Sequence, residues 1–223
     1  MDLTNNKPKR NMNIFNKEIY DPNDIYDKLL KNIDVLSDEI KYLNKIVSAV
    51  KIESKNRDVL QNIYKIYCAN YPYDSMNWID VSDFTDFSKL FLYTTWPYYG
   101  NISKWDVSNV KSMKQMFKES KFNGNISGWD VSNVIDMSDM FCNSAFTGDI
   151  SMWNVSNVRN MEWMFEGSTF NGDISRWDVS NVTNMHSMFA YSKFNGDISG
   201  WDVSNVTDMS NMFHVAKFNN DIS

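Results

Sequence analysis

The chain has 223 residues, enough for one or two domains, and 43% of them are hydrophobic, so a sizeable core can form. Its net charge of −6, carried mostly by residues 101–223, argues against a general nucleic-acid binder, because phosphate contacts need a basic face. The two cysteines, Cys68 and Cys142, make no CxxC or Cys/His ligand pattern. They read as free thiols in a reducing compartment or as small buried apolar groups.

Residues 1–20 are polar and are expected to form a disordered tail. The stretch KPKR within it is a solvated basic run or a nuclear import signal. No apolar stretch of signal-peptide length opens the chain, and none later approaches a membrane span. Residues 21–70 are expected to be α-helical, as a hairpin or a short coiled coil. Asp21-Pro22 suits a helix start, and Leu29, Ile33, Leu36, Ile40, Leu43, Val47 and Val50 alternate steps of four and three. β-Branched residues at one heptad position and mostly Leu at the other favour a parallel two-stranded coiled coil, hence a homodimer through Leu29, Ile33, Leu36, Ile40, Leu43 and Val47. The other expectation is a helix whose apolar stripe packs within its own chain. A second helical run, RDVLQNIYKIYCA at 57–69, ends at Pro72.

From Trp78 onward the chain repeats. Trp105, Trp129, Trp153, Trp177 and Trp201 stand 24 apart. The same step links Val107 to Val203, Val110 to Val206, Met113 to Met209, Met116 to Met212, Phe117 to Phe213, Phe122 to Phe218 and Ile126 to Ile222. Residues 71–100 are a degenerate first copy, and residues 101–223 hold five copies, the last incomplete. A period of this length means stacked units, because 24 residues alone cannot bury their own apolar face.

Within a unit, Val110, Met113, Met116 and Phe117 are spaced as one face of a short helix. Asp106, Ser108 or Asn109 would cap it, Gly124 would turn the chain, and NIS or DIS would form a very short strand. The expected fold is therefore α/β: a leucine-rich-repeat-like solenoid of 24-residue strand–turn–short-helix units behind an N-terminal helical segment.

The words FNGDISGWDVSNVTDMSNMF resemble the BspA-like leucine-rich-repeat surface proteins, and more closely the Mycoplasma-type repeat of unknown function with its W-D-V-S-N-V-x-x-M-x-x-M-F signature. The resemblance covers about two thirds of the chain. It implies adhesion or protein binding, with no catalytic activity common to the family. Family members occur in bacterial surface lipoproteins, protists and large DNA viruses. No signal peptide or lipid-attachment cysteine stands near the start of this chain, so the expected location is intracellular, in a virion or host cytoplasm. The cell surface is the family-based alternative.

No catalytic, cofactor or metal site emerges from the residues. Asp106, Asp130, Asn154, Asp178 and Asp202 form one polar column, and Asn101, Asn125, Asp149, Asp173, Asp197 and Asp221 form another. They lack the density of a calcium roll and read as turn caps, with stacked like charges expected to give calcium insensitivity or mild stabilisation by acid. The Trp and Met columns read as packing. The N-x-S/T triplets read as by-products of the repeat. His186 and His214 stand in different columns without a nucleophile motif beside them. What remains are the columns that vary. There Met152, Arg159, Trp163, Arg176 and Tyr191 make a candidate partner-contact patch, Trp163 being the one large aromatic in its column. The expected function is a non-enzymatic repeat scaffold for protein–protein interaction with an unspecified protein partner. The alternative is a structural or self-associating component of a virion or cell surface.

Overall fold

The computed structural model describes residues 57–70, 75–95 and 101–220. All of them belong to one compact unit, Ser37–Ser223; the other unit, Met1–Leu36, lies outside the described residues. So do the expected tail and the heptad positions Leu29 to Val47.

The first described element, α1, spans Arg57–Asn70. Leu60, Ile63 and Tyr64 share one face of it, and Asp58 places negative charge in the first turn, where the helix dipole favours it. Leu60 and Tyr64 are buried, Ile63 packs against the same core, and the Tyr64 ring lies 4.3 Å from Phe91. On its polar side Arg57 donates to the Ser88 carbonyl at 2.8 Å, and Gln61 donates to the carbonyls of Lys89 and Leu90. The helix thus sits on the first of the repeated units.

Beyond α1 the expected strand–turn–helix units do not form. Among the described residues there is no further helix and no strand, only isolated parallel bridges. The leucine-rich-repeat-like α/β solenoid is therefore not the fold. Each unit is a succession of tight turns. In one unit Trp129 N–H donates to Ile126, Val134 to Val131, Met140 to Met137 and Ser144 to Phe141, every bond closing over three residues. Asp139 and Asn143 sit at φ +56° and +51°, the third position of turns of the type II pattern. The same two places are left-handed in the other copies, at Gln115 and Glu119, Trp163 and Gly167, Ser187 and Tyr191, and Asn211 and Val215.

The reason the helix fails is visible in the amides. An α-helix sends each N–H four residues back within its own segment. Here Met137, Asp139, Phe141 and Asn143 send theirs forward to Asn160, Glu162, Met164 and Glu166 of the next unit, at 2.7–3.0 Å. The residues between turn back on their own unit. An apolar spacing of three is shared by a helix face and by an i to i+3 turn, and only the turn leaves alternate amides free to join neighbours. The predicted strand fails similarly. Ser127 N–H is taken by the Asn125 side chain, and the Ile126 carbonyl accepts the indole of Trp153.

Joined in this way, units stack with like residues over like. The bridges run Asp86, Ser112, Asp136, Asn160, Asn184, Asp208. Phe117, Phe141, Phe165, Phe189 and Phe213 form a column with centroids 5.5–5.7 Å apart and planes within 8°. Phe122 to Phe218 form a second column beside it. Trp105, Trp129, Trp153, Trp177 and Trp201 are buried, each Nε1 donating to a carbonyl of the preceding unit. Asn109, Asn133, Asn157, Asn181 and Asn205 repeat this along the surface, each bonding the preceding unit's backbone.

Candidate functional site

The polar columns are turn chemistry. In each, the Oδ1 of Asp or Asn accepts the backbone N–H of the residue two places on, as in Asp130 to Ser132 and Asp173 to Ser175, and Asp208 of the bridge row does the same with Ser210. At Asp173, Asp178, Asp197 and Asp208 the serine hydroxyl also bonds the carboxylate, at 2.6–2.8 Å. Among the described residues no cluster of His, Cys, Asp and Glu is placed to hold a metal ion.

These bonds reverse the expected response to acid. The serine hydroxyl and then its N–H lower the carboxyl pKa of Asp130, Asp178, Asp202 and Asp208; at Asp149, Asp173 and Asp197 the N–H is the larger cause. Repulsion between neighbours such as Asp149 and Asp173 acts the other way and is weaker. A group with a depressed folded pKa contributes stability above its unfolded pKa and loses it as pH falls through the folded value. The melting temperature is therefore expected to fall as pH drops from about 5 to about 2. Differential scanning calorimetry across that range checks it, and a rise would restore the like-charge account.

All five residues of the candidate patch are exposed. Met152 is 74% accessible, Tyr191 55% and Trp163 36%; Arg159 and Arg176 are also open. Met152 and Arg176 occupy the same place in successive units, in the turn between the Ile and Trp columns. Arg159 directly precedes the bridge residue Asn160, with Trp163 three residues beyond. Tyr191 belongs to the column of Gly167, one unit on. Among the described residues no hydrogen bond, ion pair or ring contact joins the five to one another. Trp163 instead meets the His186 ring edge-on at 5.6 Å, and Tyr191 meets His214 at 5.2 Å.

The stack also assembles groups that lie a whole unit apart in sequence. His186 Nδ1 is 2.6 Å from Ser210 Oγ and 3.9 Å from Asp208 Oδ1, and its Nε2 is 3.3 Å from Ser187 Oγ. This has the composition of a hydrolytic triad without its working parts. Asp208 is engaged by Ser210 in the same turn seen at every copy, and the Ser187 N–H is bonded to the Ser210 carbonyl and cannot stabilise an oxyanion. A second group joins Lys118 to the buried Asp139 at 2.6 Å, and Cys142 to Glu166 at 3.2 Å. Burial first, and then the bond to Glu166, push the Cys142 thiol up to about 12, so it is inert as a nucleophile. A third feature is a shallow groove of about 610 Å³ lined by small polar residues, among them Ser120, Asn143, Ser144 and Thr169. Beneath it runs a buried column, Ser120, Ser144, Ser168 and Ser192, that the sequence reading passed over although it keeps the 24-residue step.

No described helix is long and apolar enough to cross a membrane. No curated protein and no solved structure matches the chain. A family model does match, over residues 60–171 and 142–223, together more than half of the chain. It carries the Mycoplasma-type part of the resemblance and not the BspA-like leucine-rich-repeat part. The chain belongs to the family described as Mycoplasma protein of unknown function, DUF285.

Proposed function

We propose that the protein is a non-enzymatic repeat scaffold that binds another protein through side chains carried on its left-handed turn positions. One observation supports this reading above the rest. Trp163 and Tyr191 are exposed aromatics held at φ +54° and +56°. Bulky side chains are disfavoured there, and glycine, asparagine and aspartate are the usual occupants. Gly167, Asn143 and Asp139 fill the same columns elsewhere. Strained, exposed aromatics that add little to the core point to selection for contact, and Trp, Tyr and Arg are the residues that dominate protein interfaces. Arg159 and Arg176 supply the charged part of that surface.

The test compares full-length protein with its Trp163→Ala and Tyr191→Asn variants as baits in the native cell or host, with captured proteins quantified. Partners specific to the wild-type chain are expected to fall by about tenfold or more with either variant, while the melting temperature stays unchanged or rises. Recovery of the same partners at the same level would end this reading.

A further inference from the structure

The shallow groove lies between two columns of the stack. One wall is the left-handed column of Glu119, Asn143 and Gly167, and the other is the column of Lys121, Ala145 and Thr169. The left-handed column continues past the groove at both ends, and both times with tyrosine. Tyr93 comes before Glu119 and Tyr191 after Gly167, at φ +58° and +56°. The backbone keeps them in one row: Tyr93 N–H donates to Lys118, Glu119 to Cys142, Asn143 to Glu166 and Gly167 to Ala190, at 2.7–3.0 Å. Tyr93 is 59% accessible and Tyr191 55%. Units step by 5.3–5.6 Å along the rings from Phe91 to Phe189. Four such steps put the tyrosines roughly 20 Å apart, with the trough between them.

The middle of the trough is open and uncharged. Ala145 and Gly167 leave it unfilled, and a Cβ added at Gly167 would collide with Asn143 Oδ1, so the sequence holds glycine where a side chain would block the way. Thr169 and Thr95 line it with exposed hydroxyls, and Asn143 with an amide. An extended peptide is the wrong occupant. Strand addition needs an unpaired backbone edge. Here the N–H groups of Glu119, Asn143 and Gly167 already bond the following unit, and those of Lys121, Ala145 and Thr169 the preceding one. A docked helix needs an apolar groove, and no apolar side chain larger than Ala145 lines this one.

We propose that the trough from Tyr93 to Tyr191 binds a linear, uncharged glycan. A pyranose ring has an edge of hydroxyls and a face of C–H bonds. Threonine hydroxyls and the Asn143 amide donate to and accept from the edge. An exposed tyrosine ring packs against the face and offers its own hydroxyl beside it. A sugar in an extended chain advances by nearly one unit step, so a tetrasaccharide reaches from one tyrosine to the other. The site goes beyond the protein-binding reading. Tyr191 belongs to both surfaces, Trp163 only to that one and Tyr93 only to this.

The experiment titrates the full-length protein with cellotetraose, chitotetraose, xylotetraose and mannotetraose by isothermal titration calorimetry. Saturable binding of at least one is expected, with its monosaccharide weaker by about tenfold or more, since one ring cannot touch both tyrosines. Tyr93→Asn and Tyr191→Asn are each expected to weaken it about fivefold or more. Asparagine suits the left-handed backbone, so both variants keep the fold. Ala145→Trp, at an exposed position, is expected to abolish binding by filling the trough, and Trp163→Ala to leave it unchanged. Absence of binding by all four sugars at millimolar concentration would overturn the proposal. So would a monosaccharide that binds as tightly as its tetramer, or binding indifferent to Tyr93→Asn and Ala145→Trp. Loss of a captured protein with Tyr93→Asn, where no sugar binds, would give the trough to a polypeptide instead.

Discussion

Phe165→Ala is expected to destabilise the protein by about 3–5 kcal/mol, the range for emptying an aromatic site in a packed core. Phe165 is fully buried in the middle of the column, 5.6 Å from both Phe141 and Phe189, 4.5 Å from Phe170 and 6.3 Å from Trp177. The cavity cannot collapse, because the rings above and below are held by backbone bonds from Phe141 to Met164 and from Phe165 to Met188. Phe213 has the same place in the last described unit but is only partly buried, so Phe213→Ala is expected to cost under about 2 kcal/mol. Urea titration followed by tryptophan fluorescence compares the two midpoints. Equal losses would show that the column does not act as a continuous stack.

Gly172→Ala is expected to cost about 1–3 kcal/mol, while Gly128→Ala is expected to be neutral or slightly stabilising. The ring of Phe170 folds back over Gly172, so an added Cβ would stand 2.8 Å from the ring's Cζ. That ring is buried between Phe146 and Phe194 and cannot move aside without disturbing both. At Gly128, by contrast, nothing lies within 4 Å of the added atom. Both variants replace a glycine by alanine, so a general intolerance of alanine at glycine positions would affect them alike. Thermal melts of the two variants, run side by side, separate the crowding account from that alternative.

Much of this packing was legible from the 24-residue step alone. Side chains that recur at Phe117 and Phe122 must meet their own copies, and they do, while those at Trp105 and Ile126 join the same core. The helix at Arg57–Asn70 was legible as well, because Leu60, Ile63 and Tyr64 give a helical face. The backbone between them was misread. Val110, Met113 and Met116 fit a helix by spacing, and no side chain announces the positive φ at Gln115 and Glu119, neither of which is a residue type that favours it. The constraint there comes from the neighbouring unit, whose carbonyls take the amides that a helix would keep. The group around His186 was hidden for a similar reason: Ser210 and Asp208 reach it only through stacking. The serine column at Ser120, Ser144, Ser168 and Ser192 could have been found, since it keeps the 24-residue step through four copies before Ala216 replaces it. The exposed residues of the patch could be named from variation between copies, but their mutual distances were never written in the pattern.

The forward bonds span a fixed offset, from Met137 to Asn160 and from Met161 to Asn184. Adding or removing one residue inside a unit would put the bonds that span it out of phase. Adding or removing 24 would leave each bond with a partner of the same kind. Gene duplication and deletion can therefore change the length of such a molecule in whole steps with no refolding of what remains, and the number of units becomes a quantity that selection can set independently of the fold.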